Sequence, residues 1–241
     1  MKLAIDILIL IILIHGAWSG YKKGLIMGVA GALVLMVAVY GANLLASTFA
    51  YDLVPALKPF AGGYVEGQID AEGGVLETLE WENEENYSLE DLLAQHEDEK
   101  DQFAAVCYEN LGIAPAAAAV MAESAVEMAE EEDLPLVDAV TNELCRRVSY
   151  VGCFILAFLM IAIVLTVVIN LPNLSYKIPH LDLVNDIAGT LIGIATAAAY
   201  AAVLVWALKF LGMIIGEGIL AESTLGGWFL EKDFLAKFLG I

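Results

Sequence analysis

Apolar residues fall in blocks along this chain, and the blocks have the length that a lipid bilayer asks of a helix. A hydrocarbon core of about 30 Å takes about 20 residues at a rise of about 1.5 Å each. Residues 25–46 carry no charge, with Tyr40 and Asn43 as their main polar groups. Residues 151–169 are uncharged and dense in Ile, Leu, Val and Phe. Residues 187–208 are uncharged and Ala-rich, and end at Trp206 and Lys209, an aromatic and a basic residue suited to an interface. The first block is shorter. Residues 7–14 are purely aliphatic between Asp6 and His15, and they reach spanning length only when extended over 3–21, which adds Trp18 and Tyr21 as an aromatic belt. A re-entrant segment or a signal peptide also fits this block. The lack of a clear Ala-x-Ala site and the apolar block that follows at once favour a span.

Lys22 and Lys23 separate the first two blocks, amid Gly16, Gly20, Gly24 and Gly28 at four-residue spacing. One helix over residues 3–46 would be about 66 Å long. It would hold both lysines at bilayer depth, where a charge costs several kcal/mol. A turn over residues 19–24 puts them among headgroups instead, with Gly20 and Gly24 as permissive backbone. The spacing predicts a hairpin.

Between residues 47 and 149 lies a polar insertion. Pro55, Pro59 and Gly62-Gly63 are expected to break helices. Helices are predicted over 89–110, 114–132 and 136–148. Ser88-Leu-Glu-Asp91 has the spacing of a capping box, and Leu136, Val140, Leu144 and Val148 share one face. The last of these helices either lies on the membrane or runs into the span at 151. Pro172 and Pro179 mark residues 170–186 as a short turn. The tail, 213–241, mixes aromatic and charged residues as an amphipathic interfacial piece does. The expected fold is all-α: an integral membrane protein with four transmembrane helices in two hairpins (1–46 and 150–212), a mostly helical acidic insertion (47–149) and an interfacial tail.

Composition sharpens this picture. Hydrophobic residues are 60% of 241 and charged residues 17%, against about 45–50% and 25% in soluble domains. Residues 51–147 hold 24 of the 31 acids but four of the 11 bases. That balance argues against nucleic acid as a partner, since phosphate binding needs Lys and Arg. Three cysteines without CxxC spacing argue against a disulfide framework or a zinc site; a Cys107–Cys145 bridge requires an oxidising compartment. No HExxH, GxSxG, P-loop or GxGxxG occurs, and His15, His96 and His180 have no metal spacing. The acidic runs lack the alternating oxygens and central Gly of an EF-hand, and read as solvated surface. Neither an enzyme nor a cofactor is expected.

The candidate site residues follow from depth and spacing. Gly20, Gly24, Gly28, Gly189 and Gly193 are turn or helix-packing positions, and Ala197 and Ala201 continue the second stripe. That stripe serves either packing within the monomer or a homo-oligomer face. Because the turn interrupts the first ladder, Gly24 and Gly28 are expected to share a face with Gly31 or Ala32. Asp6, Lys22, Lys23 and Asn185 are polar groups at span ends, with Asn185 placed to cap the fourth span. His15 is the deepest ionisable group, either interfacial near Trp18 or holding a proton or ligand.

Asp6 ahead of an aliphatic run, followed by Gly20-Tyr-Lys-Lys-Gly24-Leu, resembles the amino-terminal signature of the colicin V production protein (CvpA) family. Leu-Pro at 171–172 and Pro179-His-Leu-Asp-Leu-Val-Asn185-Asp-Ile-Ala-Gly189-Thr-Leu-Ile-Gly193 are similar to the family's second hairpin. The resemblance covers residues 1–46 and 134–215. It departs at Met27 or Gly28 and near Thr196, where members often carry polar or charged groups. It implies a bacterial multi-pass inner-membrane protein tied to toxin (bacteriocin) production or export, or to envelope homeostasis. Such a protein acts through partners in the lipid bilayer, either a second copy or other envelope membrane proteins. The alternative is a small transporter or channel-like subunit, since paired hairpins suggest a weak repeat. Lys22, Lys23 and Lys177 in the two short turns are expected to place both turns in the cytoplasm, with the acidic insertion and both termini outside, while Arg146 and Arg147 close to a span argue the other way.

Overall fold

The computed structural model describes residues 2–69, 71, 73–81, 88–170, 182–211, 219–233 and 235; every regular element among them is helical. Three helices, α1 (Lys2–Ile69), α6 (Leu136–Asn170) and α7 (Asp182–Leu208), are long and apolar enough to cross a membrane. The turn expected at 170–186, with Pro172 and Pro179, lies mostly outside the described residues.

Within α1, Gly24 alone leaves helical geometry (φ 73°, ψ −175°), so two helical segments meet at one residue. The turn expected over 19–24 is thus corrected: residues 19–23 are helical. A φ of 73° costs a glycine little and other residues more, which lets one position absorb the break. The second segment also runs past residue 46, through Pro55, Pro59, Gly62 and Gly63, to Ile69. Each proline removes one donor, and the two carbonyls that lose it, Tyr51 and Pro55, lie one turn apart on the same side of the helix. Val65 and Ile69 are buried beyond them. Packing of that kind overrides local propensity.

Contacts divide the chain into two compact units. The apolar unit takes the chain to Thr48, Gly152–Leu208 and the described residues from Ile219 onward. Its helices are apolar on both faces: Leu156 is 71% exposed, and Met160, Ile163, Val164 and Val167 are exposed beside it. A helix hydrophobic all round belongs in lipid or deep in a core. Inward, Asn185, Gly189, Ala197, Ala201 and Val205 of α7 are buried at multiples of four residues. Trp206, expected at the interface, is buried instead, edge-on to Phe154 at 5.0 Å between ring centres; Lys209 is buried as well. The tail is likewise more than an interfacial strip. Helices α8 (Ile219–Glu222) and α9 (Thr224–Lys232) contribute Leu220 and Phe229 to a cluster with Ile5, Ile9, Ala201 and Val205.

The other unit, Phe49–Val151 with the described part of Lys209–Gly218, is a helical domain with a side-chain core. It holds α2 (Val75–Thr78), α3 (Leu89–Gln95), α4 (Lys100–Asn110) and α5 (Pro115–Glu132). The helix expected over 89–110 is interrupted at His96 and a 3-10 turn, Glu97–Glu99. There the Trp81 ring stacks on His96 and Phe103, with centres 4.2 and 5.7 Å away, and its Nε1 donates to Glu99 at 2.8 Å. Ser88 accepts from the Asp91 amide at 3.2 Å, so the cap is formed. Phe103, Tyr108, Met121, Val140 and Leu144 fill the core, and the Tyr108 hydroxyl donates to the Val140 carbonyl at 3.0 Å. Leu136–Asn170 is one helix, which decides between the two placements of 136–148. All three cysteines are free.

Candidate functional site: a glycine seam and the cavity beside it

Four-residue spacing on an antiparallel helix pair brings small residues face to face, and with no Cβ the backbones close up. That is the arrangement of Gly16 and Gly20 against Gly189 and Gly193. A Cβ added at Gly189 would stand 2.5 Å from the Gly20 carbonyl oxygen; one at Gly193 would stand 2.9 Å from the Gly20 Cα. One at Gly16 would collide with Ala197 and lie 2.7 Å from the Gly193 carbonyl oxygen. Gly28 faces Gly189 and Ile192 more loosely, the nearest atom being 3.4 Å from a built Cβ. Gly31, expected to share that face, has nothing within 4 Å. So the glycines of the first ladder meet α7, and Gly16 joins a set in which the sequence alone singled out Gly20, Gly24 and Gly28.

Asn185 closes the seam at the break. A non-helical residue at 24 deprives following amides of their intrahelical acceptors, and the Asn185 Oδ1 accepts from the Leu25 amide at 3.0 Å. Asn185 is 2% exposed, and its Nδ2 has no partner among the described residues. A Cβ at Gly24 would run into its amide. The asparagine expected to cap its own helix thus serves another one.

Asp6, read from sequence as a group reaching for headgroups, caps α9. Its Oδ1 accepts from the Ser223 hydroxyl (2.8 Å) and the Leu225 amide (2.7 Å), and its Oδ2 from the Thr224 amide (3.2 Å). Ser223 in turn accepts from Gly226 at 2.9 Å. These are the first amides of a helix, which have no partner of their own. No local pattern near Asp6 signals a cap for residues 217 positions away.

Beside the seam, within the same unit, lies a cavity of about 780 Å³ bounded by α1, α6 and α7. His15, Ser19 and Lys23 line it at four-residue spacing, with Thr166 and Asn170 from the end of α6. Toward the other end of the first segment the lining turns apolar, with Leu8, Ile12, Phe158, Val203 and Leu204. His15 and Lys23 are exposed on its wall, and no carboxylate pairs with Lys23 among the described residues. Lys22 points elsewhere, its Nζ 4.8 Å from the centre of the Trp18 ring. Among the described residues no group of His, Cys, Asp and Glu could hold a metal ion. No family model, curated protein or solved structure matches the chain.

Proposed function

We propose that this is a bacterial multi-pass inner-membrane protein of the colicin V production type, with four spans in two hairpins. It serves toxin production or export, or envelope homeostasis, by holding partners rather than by catalysis. The observation that carries the hairpin reading is that Gly20 and Gly28, on opposite sides of Gly24, both face Gly189. A chain that continued in one direction through Gly24 would separate them along α7 by about 12 Å. The positions that carry the family resemblance, Gly20, Gly24, Asn185, Gly189 and Gly193, are also those that form the seam. The acidic unit, with the whole formal charge excess of the chain, is the surface offered to partners.

Single cysteines at Lys23 and Ser47, introduced after replacing Cys107, Cys145 and Cys153, test the hairpin. Labelling from opposite faces of the membrane is expected; labelling from one face sinks it. Crosslinking from Glu127, exposed on α5, tests partner binding in the envelope. A transporter is the second reading, favoured by the cavity beside the seam. Saturable solute flux in liposomes without a crosslinked partner would decide for it.

A further inference from the structure

We infer that the cavity between α1, α6 and α7 binds a single-chain amphiphile with an anionic head, the head at Lys23 and the tail running toward Leu8 and Leu204. The inference rests on the reading that these helices lie in lipid. It goes beyond that reading by assigning a ligand class.

The volume of about 780 Å³ lies within the usual range for small-molecule sites, about 300–1,000 Å³. From Lys23 to Leu8 the wall extends about 22 Å along the helix, roughly the reach of an extended long acyl chain. The lining has two chemistries, polar at the Lys23 end and apolar at the Leu8 end, with His15, Thr196 and Tyr200 between. Lys23, Ser19, Thr166 and Asn170 supply a cation and hydrogen-bonding groups at the end next to the Gly24 break. Past His15, Thr196 and Tyr200, the residues Leu8, Ile12, Phe158, Val203 and Leu204 supply an apolar wall. No described carboxylate neutralises Lys23, so an anion is the complementary head. The bare glycine backbone also bears on the shape. Gly16, Gly20, Gly28 and Gly193 border the cavity, while the positions their side chains would take are occupied by the facing helix or, at Gly28, lie against it. A neutral solute would leave the cation unused, and a two-chain lipid needs more apolar wall than one trough provides.

The full chain in zwitterionic nanodiscs, photolabelled with an oleoyl lysophosphatidic acid carrying a diazirine near the tail end, tests this. Labelling is expected in peptides containing residues 8–12 and 203–207. Unlabelled lysophosphatidic acid should compete about five-fold better than lysophosphatidylcholine of the same chain, the effect of about one interfacial charge. Lys23→Gln should bring the two competitors together, and Ile12→Trp or, separately, Leu204→Trp should suppress the labelling by filling the trough. Two results overturn the proposal: label spread over Leu156 and Ile163 and insensitive to both tryptophans, or equal competition by the two lipids on the unaltered chain. An unchanged preference in Lys23→Gln removes Lys23 as the head contact and overturns it equally. Failure of the membrane reading is separately visible, as a chain that stays monodisperse without detergent.

Discussion

In the apolar unit the closest contacts are between backbones, Gly16 and Gly20 against Gly189 and Gly193. In the acidic unit large side chains make the core, with Trp81 stacked on His96 and Phe103, and the Tyr108 hydroxyl donating to the Val140 carbonyl. The difference follows from the solvent each is read to meet. In water, removing apolar surface drives packing, so large side chains reward burial. In lipid the surroundings are as apolar as the side chains, and association depends on fit and on satisfied polar backbone. Hence the seam between α1 and α7 is closed by absent side chains and an asparagine, whereas the core of the acidic unit is filled by large side chains.

Enlarging residues should separate the two units most sharply. Gly189→Leu drives a side chain into the Gly20 backbone, which cannot move aside, and should destabilise the apolar unit by about 3 kcal/mol or more. A lost or aggregated peak on size exclusion in detergent is expected. Gly31→Ala, with open space around it, should leave the peak and the melting temperature unchanged. If both variants behave alike, the seam has no special role.

Asn185→Ala should cost about 1–2 kcal/mol, through an unpaired Leu25 amide beside the break. A thermal shift in detergent reads it, and no shift would mean that the Leu25 amide finds another acceptor.

Cys107 sharpens the comparison from the acidic side. It is 1% exposed, and burial pushes its thiol up to about 12 from 9.0. A pKa raised on folding supports stability fully below the unfolded value, and that support is lost as pH rises from about 9 toward about 12. The melting temperature should therefore fall above about pH 9, and less steeply in Cys107→Ala. Maleimide should modify Cys107 only after unfolding, so silence at this thiol says nothing about sidedness; Glu127→Cys, on an exposed face, is the site to label. The smallest expected effect is local: Asp6→Asn should speed hydrogen exchange at Thr224 and Leu225 without moving the main transition.

Much of this was legible in the sequence because composition and spacing are local. The apolar blocks, the Ser88 cap and the face through Leu136, Val140 and Leu144 need only neighbouring residues. The break near the twin lysines was legible to within a few residues, though not its confinement to Gly24, which depends on Asn185 reaching across from α7. Pro55 and Pro59 misled because their local penalty is offset by burial farther along the helix. Gly16 fell outside the expected packing face because the turn interrupts the ladder after it, and its partners, 177 to 181 positions away, leave no local signal. The cavity was hidden for the same reason, since three helices make it and none carries its outline.

The clasp between Asp6 and Ser223 has a temporal meaning. A ribosome delivers the carboxylate more than two hundred residues before its hydroxyl and amide partners. The helix that carries Asp6 must therefore wait, its capping acid unmatched, until those partners emerge. Truncation before Ser223 should leave that helix without its final latch, however well the intervening segments have inserted.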